Sequence, residues 1–485
     1  MEDKFFQLSE EEMRQVGYQV IDLLVEHYRT LPEKPAGGHM TVEEIESILD
    51  EPVPYQGTTF DNVLNKAVEE VFPNNMFLNH PRFFAWVPSP SNFISVMADT
   101  LASGFNVFSG IERAGAAANQ VEQLVIQWLV QLFALGKSAG GLLTSGGSMS
   151  NLMGLGTARE IMLNNQIERA TIYCSDQTHR SNMKALKVLG FAEEQIRIIV
   201  SDDESRLDVH RLSEQIHQDR SSGWRPFCVI ANAGTTNTGS IDGLPEIRAL
   251  CDIEHMWMHV DAAYGAAAWF SEKKRYLLEG INTADSLTFD PHKWLYQPYD
   301  IGGLLVKDAK HLSATFKTTA TYLKETEQYQ NFSDKGIQLS RRFRALPLWM
   351  SMKFYGIDTF SRAIDYTIAL AERAQSAVES FSSWEVTTPA QIGILTFRFA
   401  PDSLTPEQID AVNSRIADHI MNEQGIVLSS TMVQQQVVLR MCTINPATTH
   451  QDIDTTLFYL DFLANRFLTE MLAEDLTTTK KEASN

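Results

Sequence analysis

The sequence predicts an α/β fold: a mostly parallel central sheet with helices on both faces, a helical segment before it and a small α+β domain after it. Three observations carry this reading. Between about residues 85 and 310, short β-rich runs alternate with helix-like stretches, the pattern of helices packed on a parallel sheet. The first 80 or so residues are amphipathic and helical but hold little apolar material for a core of their own. Beyond about residue 365 a long helix leads into a second group of strand-like runs.

At the N-terminus, residues 9–29 place Met13, Val16, Val20, Leu23, Leu24 and Tyr28 on one helical stripe. A Pro/Gly break from Leu31 to Gly38 ends it. Thr41 with Glu43 and Glu44 marks a second capped helix, and Asp61–Phe72 a third. Segment 1–80 is therefore expected to pack on something larger, a partner subunit first of all. The sheet runs are Gly141–Thr144, Thr171–Cys174, Arg197–Val200, Phe227–Ala231, Trp257–Val260, Ser286–Phe289 and Gly302–Val306. They fall within segment 81–365. In open sheets of this kind ligands bind at the carboxyl ends of the strands. Segment 366–485 reads as a helix over 363–381, strands at Ile392–Phe399, Ile426–Ser430 and Gln436–Met441, and helices at 406–423 and 450–472. The tail Leu476–Asn485 is polar and expected to fray.

Composition narrows the function classes. With 44% hydrophobic and 21% charged residues the chain resembles an ordinary globular protein. Its 40 basic and 61 acidic residues leave a net charge of −21, which repels nucleic acid, and no local Lys/Arg cluster offsets it. Cys174, Cys228, Cys251 and Cys442 form no C-x-x-C pair and read as buried free thiols of a reducing compartment. No metal site is expected. The start Met1-Glu2-Asp3-Lys4 lacks a signal-peptide pattern, and no apolar run approaches the ~20 residues that cross a bilayer. A cytoplasmic location, away from membranes, is the expectation.

The chemistry concentrates after the strand runs. In Asp290-Pro291-His292-Lys293-Trp294-Leu295 a lysine sits among apolar neighbours, where loss of water favours the neutral, nucleophilic amine that forms imines. In His259-Val260-Asp261-Ala262-Ala263-Tyr264-Gly265 a carboxylate at a strand end needs a cationic or hydrogen-bonding partner, and the alanines leave room for a flat ring. In Thr144-Ser145-Gly146-Gly147-Ser148-Met149-Ser150-Asn151 glycines and hydroxyls open a helix, the make-up of a phosphate cradle. His179 and Thr236 each follow a strand; the first could stack on a ring, the second offers a hydroxyl. Taken singly, these are more often a loop lysine, a helix-capping aspartate and ordinary turns.

Taken together, five strand ends supply in order a cradle, a stacking ring, a hydroxyl, an acid and an amine. That order resembles the fold-type I pyridoxal-5′-phosphate (PLP) enzymes, specifically the group II amino-acid decarboxylases and their aromatic-L-amino-acid branch. The likeness covers nearly the whole chain and includes Ser175-Asp176-Gln177-Thr178-His179, Pro291-His292-Lys293-Trp294, Thr321-Tyr322-Leu323-Lys324 and Arg341-Arg342-Phe343-Arg344. It implies a PLP-dependent transferase-like fold and a homodimer with active sites at the subunit interface. It implies that Lys293 carries PLP as a Schiff base, that Asp261 pairs with the pyridine nitrogen and that His179 stacks on the ring. Gly147, Ser148, Met149, Ser150, Thr236, Ala263, Asp290 and His292 would complete the cofactor site.

The animal members of the family mostly have asparagine where this chain has Asp290, and a carboxylate beside a phosphate is repulsive. Asp290 is therefore expected to point away, to bond a helix start, or to meet phosphate indirectly. The polar stretch 315–337 resembles an active-site lid contributed across the dimer, whose tyrosine, here Tyr322, protonates Cα after CO2 leaves. Relatives with phenylalanine there lean toward aldehyde formation. Phe83, Trp86, Val87 and Ser89 resemble a side-chain pocket for an aromatic substrate, although an aromatic run serves equally well as core. Residues 105–113 depart from the pattern of the animal members, which leaves a diamino or acidic amino acid open as substrate. Transamination or oxidative deamination on the same scaffold stays open as well.

Overall fold

The computed structural model describes residues 5–37, 40–88, 90–318, 331–422 and 425–482. Seven strands, β1 (Gly140–Thr144), β2 (Ala170–Ser175), β3 (Ile196–Ile199), β4 (Arg225–Asn232), β5 (Trp257–Asp261), β6 (Ser286–Phe289) and β7 (Gly302–Val306), form one sheet. Their order is β1-β7-β6-β5-β4-β2-β3. Neighbours from β6 through β5, β4 and β2 to β3 run parallel, and β7 is antiparallel to both β1 and β6. Every run expected for this sheet is present, with ends shifted by no more than two residues. The runs were legible because strands covered on both faces are rich in apolar residues rather than alternating; the edge strand β3, with Arg197 and an exposed Ile198, departs from this.

Two glycines of β7 fix its distance from its neighbours. A Cβ at Gly303 would lie 2.1 Å from the Phe289 ring, and one at Gly302 would lie 2.4 Å from the Gly146 backbone. This close approach presses the turn after β1 against the sheet. The helix Gly147–Leu163 starts directly behind that turn.

The N-terminal helices begin as the caps require. Ser9 and Glu12 form a capping box on Glu10–Thr30, and Thr41 and Glu44 form another on Val42–Leu49. The third helix is regular only over Phe60–Lys66; a wider turn at Ala67–Val71 and a tight one at Phe72–Asn74, with Pro73 inside it, replace the expected continuation to Phe72. No residue of the helix Glu10–Thr30 is buried.

In the C-terminal part, β8 (Trp384–Thr388), β9 (Ile394–Phe399), β10 (Ser429–Val433) and β11 (Gln436–Cys442) form an antiparallel sheet in the order β10-β11-β9-β8. β8 was not foreseen, since its Trp-Glu-Val-Thr-Thr run follows a serine-rich turn. The expected strand from Ile426 starts later, because Val427 pairs instead with the segment after His80: its N–H donates to Arg82 O, and Phe84 N–H donates to Val427 O. The long helix spans Ile357–Ser380, and the last helix, His450–Glu482, continues into the stretch expected to fray. Ile392, Ile394, Cys442 and Ile444 share one apolar cluster with residues of β4 to β7, so the core runs without a gap between the two sheets. Among the described residues no helix is long and apolar enough to cross a membrane.

Candidate active site

A cavity of about 400 Å³ opens at the carboxyl ends of β1, β2, β4, β5 and β6. Its wall brings together Val87, Gly147, Ser148, Met149, His179, Thr236, Asp261, Ala263, Asp290, His292 and Lys293, residues scattered over more than 200 positions.

Lys293 stands on a turn after β6 that is held from below. Trp294, fully buried, donates its indole N–H to Thr367 Oγ1 at 3.0 Å and stacks on Tyr264 at 5.2 Å between ring centres. The Tyr264 hydroxyl in turn accepts the Gly393 N–H. With its neighbours pinned, the lysine is free to extend into the cavity, where Nζ lies 3.3 Å from Asp290 Oδ2.

Asp261 ends β5 and is 7% exposed. The side-chain amides of Asn151 and Asn182 donate to its Oδ2 at 2.8 and 2.7 Å, and the Ala263 N–H donates to Oδ1 at 3.2 Å. Burial alone would raise this carboxyl. The Asn182 hydrogen bond, the Lys293 charge and the Ala263 N–H outweigh it and hold the group below its ordinary value. Asp261 is therefore an ionised strand-end acid rather than a helix cap. Its Oδ2 is saturated, and Oδ1 retains acceptor capacity on the cavity side. His179 is itself the cap of the helix Arg180–Val188, with Nδ1 turned toward Ser181. Burial lowers its pKa, so the ring is neutral near pH 7.

Asp290 corrects one expectation. Its Oδ2 faces Lys293 and lies 3.7 Å from His292 Nε2, so the carboxylate points into the cavity, drawn by the lysine charge. A Cβ on Gly147 would meet that oxygen at 2.9 Å, which places the acid at the start of the cradle helix. Its Oδ1 is buried without a hydrogen-bond partner among the described residues. Ser150, by contrast, does not face the cavity: its hydroxyl is engaged with Thr144 Oγ1 at 2.7 Å, closing the turn from behind. Gly146, at φ 144°, adopts a backbone that favours glycine and leaves its edge open beside the His292 ring.

Among the described residues of the expected side-chain pocket, only Val87 reaches this cavity. Phe83 is fully buried in a separate cluster with Ala36, Ala85 and Val427, because its strand-like segment docks on the small sheet. Trp86 is half exposed and contributes its carbonyl to Arg440. Ser89 and Tyr322 lie outside the described residues. Arg440, on β11 and 3% exposed, also donates through Nε to the carbonyls of Thr236 and Asn237 at 2.9 and 3.2 Å. Asn151 and Asn182 were not singled out from the sequence. The signal was present: each lies within the first turns of a helix starting at the site, and a buried acid needs such donors.

The site fits PLP at its ring end, where Asp261 Oδ1 can accept from a protonated ring nitrogen and Ala263 leaves room for the ring. The glycine turn with Ser148 and Met149 fits an anion. The unpartnered Asp290 oxygen at that end calls for a donor that a protonated phosphate oxygen can supply.

A buried histidine behind the site gives a pH dependence. His259 is fully buried and burial pushes its pKa down to about 4, as it does for His80. The unfolded chain binds these protons from about pH 6.5 downward and the folded one does not, so stability is complete above pH 6.5 and is lost toward pH 4. At about 1.4 kcal/mol per unit the loss is a few kcal/mol. Urea unfolding at pH 7 and pH 4.5 is expected to show it, and equal midpoints would refute it.

Residues 43–400 match the pyridoxal-dependent decarboxylase conserved domain. The chain is 46% identical over 452 residues to the aromatic-L-amino-acid decarboxylase of Bacillus atrophaeus, covering 92% of this chain and 94% of that one. A solved structure of Oryza sativa TDC with PLP and tryptamine aligns with a TM-score of 0.91 at 26% identity, over 96% of this chain and 100% of that one. Catharanthus roseus tryptophan decarboxylase in complex with L-tryptophan gives a TM-score of 0.89 at 25% identity, over 95% and 100%. A match over most of the chain, on a fold whose strand ends gather an amine, an acid and an imidazole in one cavity, makes this protein a member of the pyridoxal-dependent decarboxylases, a PLP-dependent amino-acid decarboxylase.

Proposed function

We propose that the protein converts an aromatic L-amino acid to its amine and CO2, as a cytoplasmic homodimer. The observation that carries the reading is the convergence of Lys293, Asp261 and His179 on one cavity; the identity to the Bacillus relative supports the aromatic substrate. When bound, PLP supplies the electron sink for the pair left as the Cα–carboxylate bond breaks. Lys293 would hold it through Nζ, Asp261 would hold the ring nitrogen, and Gly147, Ser148, Met149 and His292 would surround the phosphate. Asp261, kept ionised by its donors, would hold the ring-nitrogen proton in place. His179 would cover the ring face and exclude water from it.

Tyr322 delivers the proton to Cα. Replacing it with phenylalanine is expected to cut amine formation by about 10²-fold and to let aldehyde appear. Undiminished amine with no aldehyde, read by mass spectrometry, refutes that role. Four buried free cysteines support the cytoplasmic assignment. The exposed Met13, Tyr18, Val25, Tyr55 and Val63 support an N-terminal segment covered by the second subunit. The deciding experiment is a CO2-release screen over the natural amino acids, where tryptophan, tyrosine or phenylalanine should lead. A diamino or acidic amino acid in first place would overturn the substrate assignment.

A further inference from the structure

We infer that Asn151 and His259 are positioning residues: a hydrogen-bond chain of fixed direction runs from Trp257 to Asp261 and His179, keeping the first a proton-free acceptor and the proton of the second on Nε2. This rests on the reading above, in which Asp261 and His179 face the cofactor. The direction follows from what each group can do. Asp261 receives donors on both oxygens, so the amide nitrogen of Asn151, not its oxygen, must face it. The Asn151 oxygen is then turned to His259 Nε2 at 3.1 Å, which must carry a hydrogen to reach it. His259 Nδ1 is left bare and accepts from the Ser286 hydroxyl at 2.7 Å. The remaining acceptor capacity of Ser286 is filled at 2.8 Å by the Trp257 indole N–H, which can only donate. Both ends demand the same direction.

A branch leaves the chain at Asn151. Its second amide hydrogen reaches Ser181 Oγ at 3.0 Å, and that hydroxyl donates onward to His179 Nδ1 at 2.8 Å. The Ser181 N–H points at the same nitrogen from 3.3 Å. With two donors on Nδ1, the proton of His179 belongs on Nε2. One amide thus fixes an acceptor at the ring nitrogen's partner and a donor on the stacking imidazole. Asn151, His259 and Ser286 are each at most 1% exposed, so water does not compete for these bonds. Glycine at position 154 admits the His259 ring, since a Cβ there would lie 2.7 Å from it.

The test compares His259→Gln with His259→Phe in the holoenzyme. Glutamine keeps a donor near the Nε2 position; phenylalanine keeps the ring volume and loses the donor. The expected result is a PLP dissociation constant raised about tenfold in the phenylalanine variant, with kcat falling similarly and KM little changed, and less than about threefold change in the glutamine variant. A role in packing alone predicts the reverse order, and that order would overturn the inference. Should neither variant fold, nitrogen-15 imidazole spectra of the unmodified holoenzyme decide it. Both rings should be neutral with the proton on Nε2, and a proton on Nδ1 of either ring overturns it. An Asp261→Asn variant whose cofactor absorbance band does not move would instead sink the site reading and leave the direction of the chain standing.

Discussion

Replacement of Lys293 by alanine is expected to lower multiple-turnover CO2 release at least ~10³-fold and to remove the absorbance of a lysine-linked cofactor. The fold should survive, because the side chain is 21% exposed and its one ion-pair partner among the described residues is Asp290. A second variant separates charge from nucleophilicity. Lys293→Arg keeps a cation near Asp290 but offers a guanidinium that stays protonated and does not condense with an aldehyde. If the lysine served only to neutralise Asp290, arginine would retain activity. If it forms the covalent link, arginine is as inactive as alanine. Steady-state CO2 release and the visible spectrum distinguish the two, and turnover in both variants would defeat the assignment.

The second large effect concerns stability. Glu122 is fully buried on the helix Ala116–Leu132 and takes both terminal nitrogens of Arg341, at 3.0 and 2.6 Å. The same pair grips β1: Leu143 N–H donates to Glu122 Oε1, and Arg341 Nη2 donates to Leu143 O. Glu122→Gln leaves a guanidinium buried with half its partners, a change that costs about 3–5 kcal/mol. Urea unfolding of the holoenzyme should show a loss of that size. Since Leu143 lies two residues before the cradle turn, PLP affinity should fall with it. Replacing both residues by leucine and methionine should cost less than Glu122→Gln alone, because no charge then remains unpaired. A single variant as stable as the parent would show that the pair is not desolvated.

Much of the sheet and of the site was legible because both rest on local signals. The strand runs were rich in apolar residues, and Lys293, Asp261 and His179 each follow one, where a parallel sheet places its ligands. Other features depend on tertiary choices that no local pattern holds. Phe83 and Trp86 look like pocket walls, but the segment carrying them pairs with Val427 and turns the phenylalanine into another cluster. For Asp290, pointing away was one of three expectations, and it is the one the structure corrects: the oxygen faces Lys293, three residues on, beside the start of the cradle helix. Asn151 and Asn182 are ordinary helix amides until the fold carries them to Asp261, 110 and 79 residues away in the sequence.

Arg440 shows how the two sheets are bound to one another. A single guanidinium from the smaller sheet satisfies carbonyls at positions 86, 236 and 237, with almost no access to water. Parting the sheets would strand three carbonyl oxygens and a cation together, on top of exposing the apolar cluster they share. The smaller sheet is therefore not a door swinging over the cavity. It is fixed to the body that carries the cavity through Arg440 and the shared apolar cluster, and the enzyme melts or persists as one body.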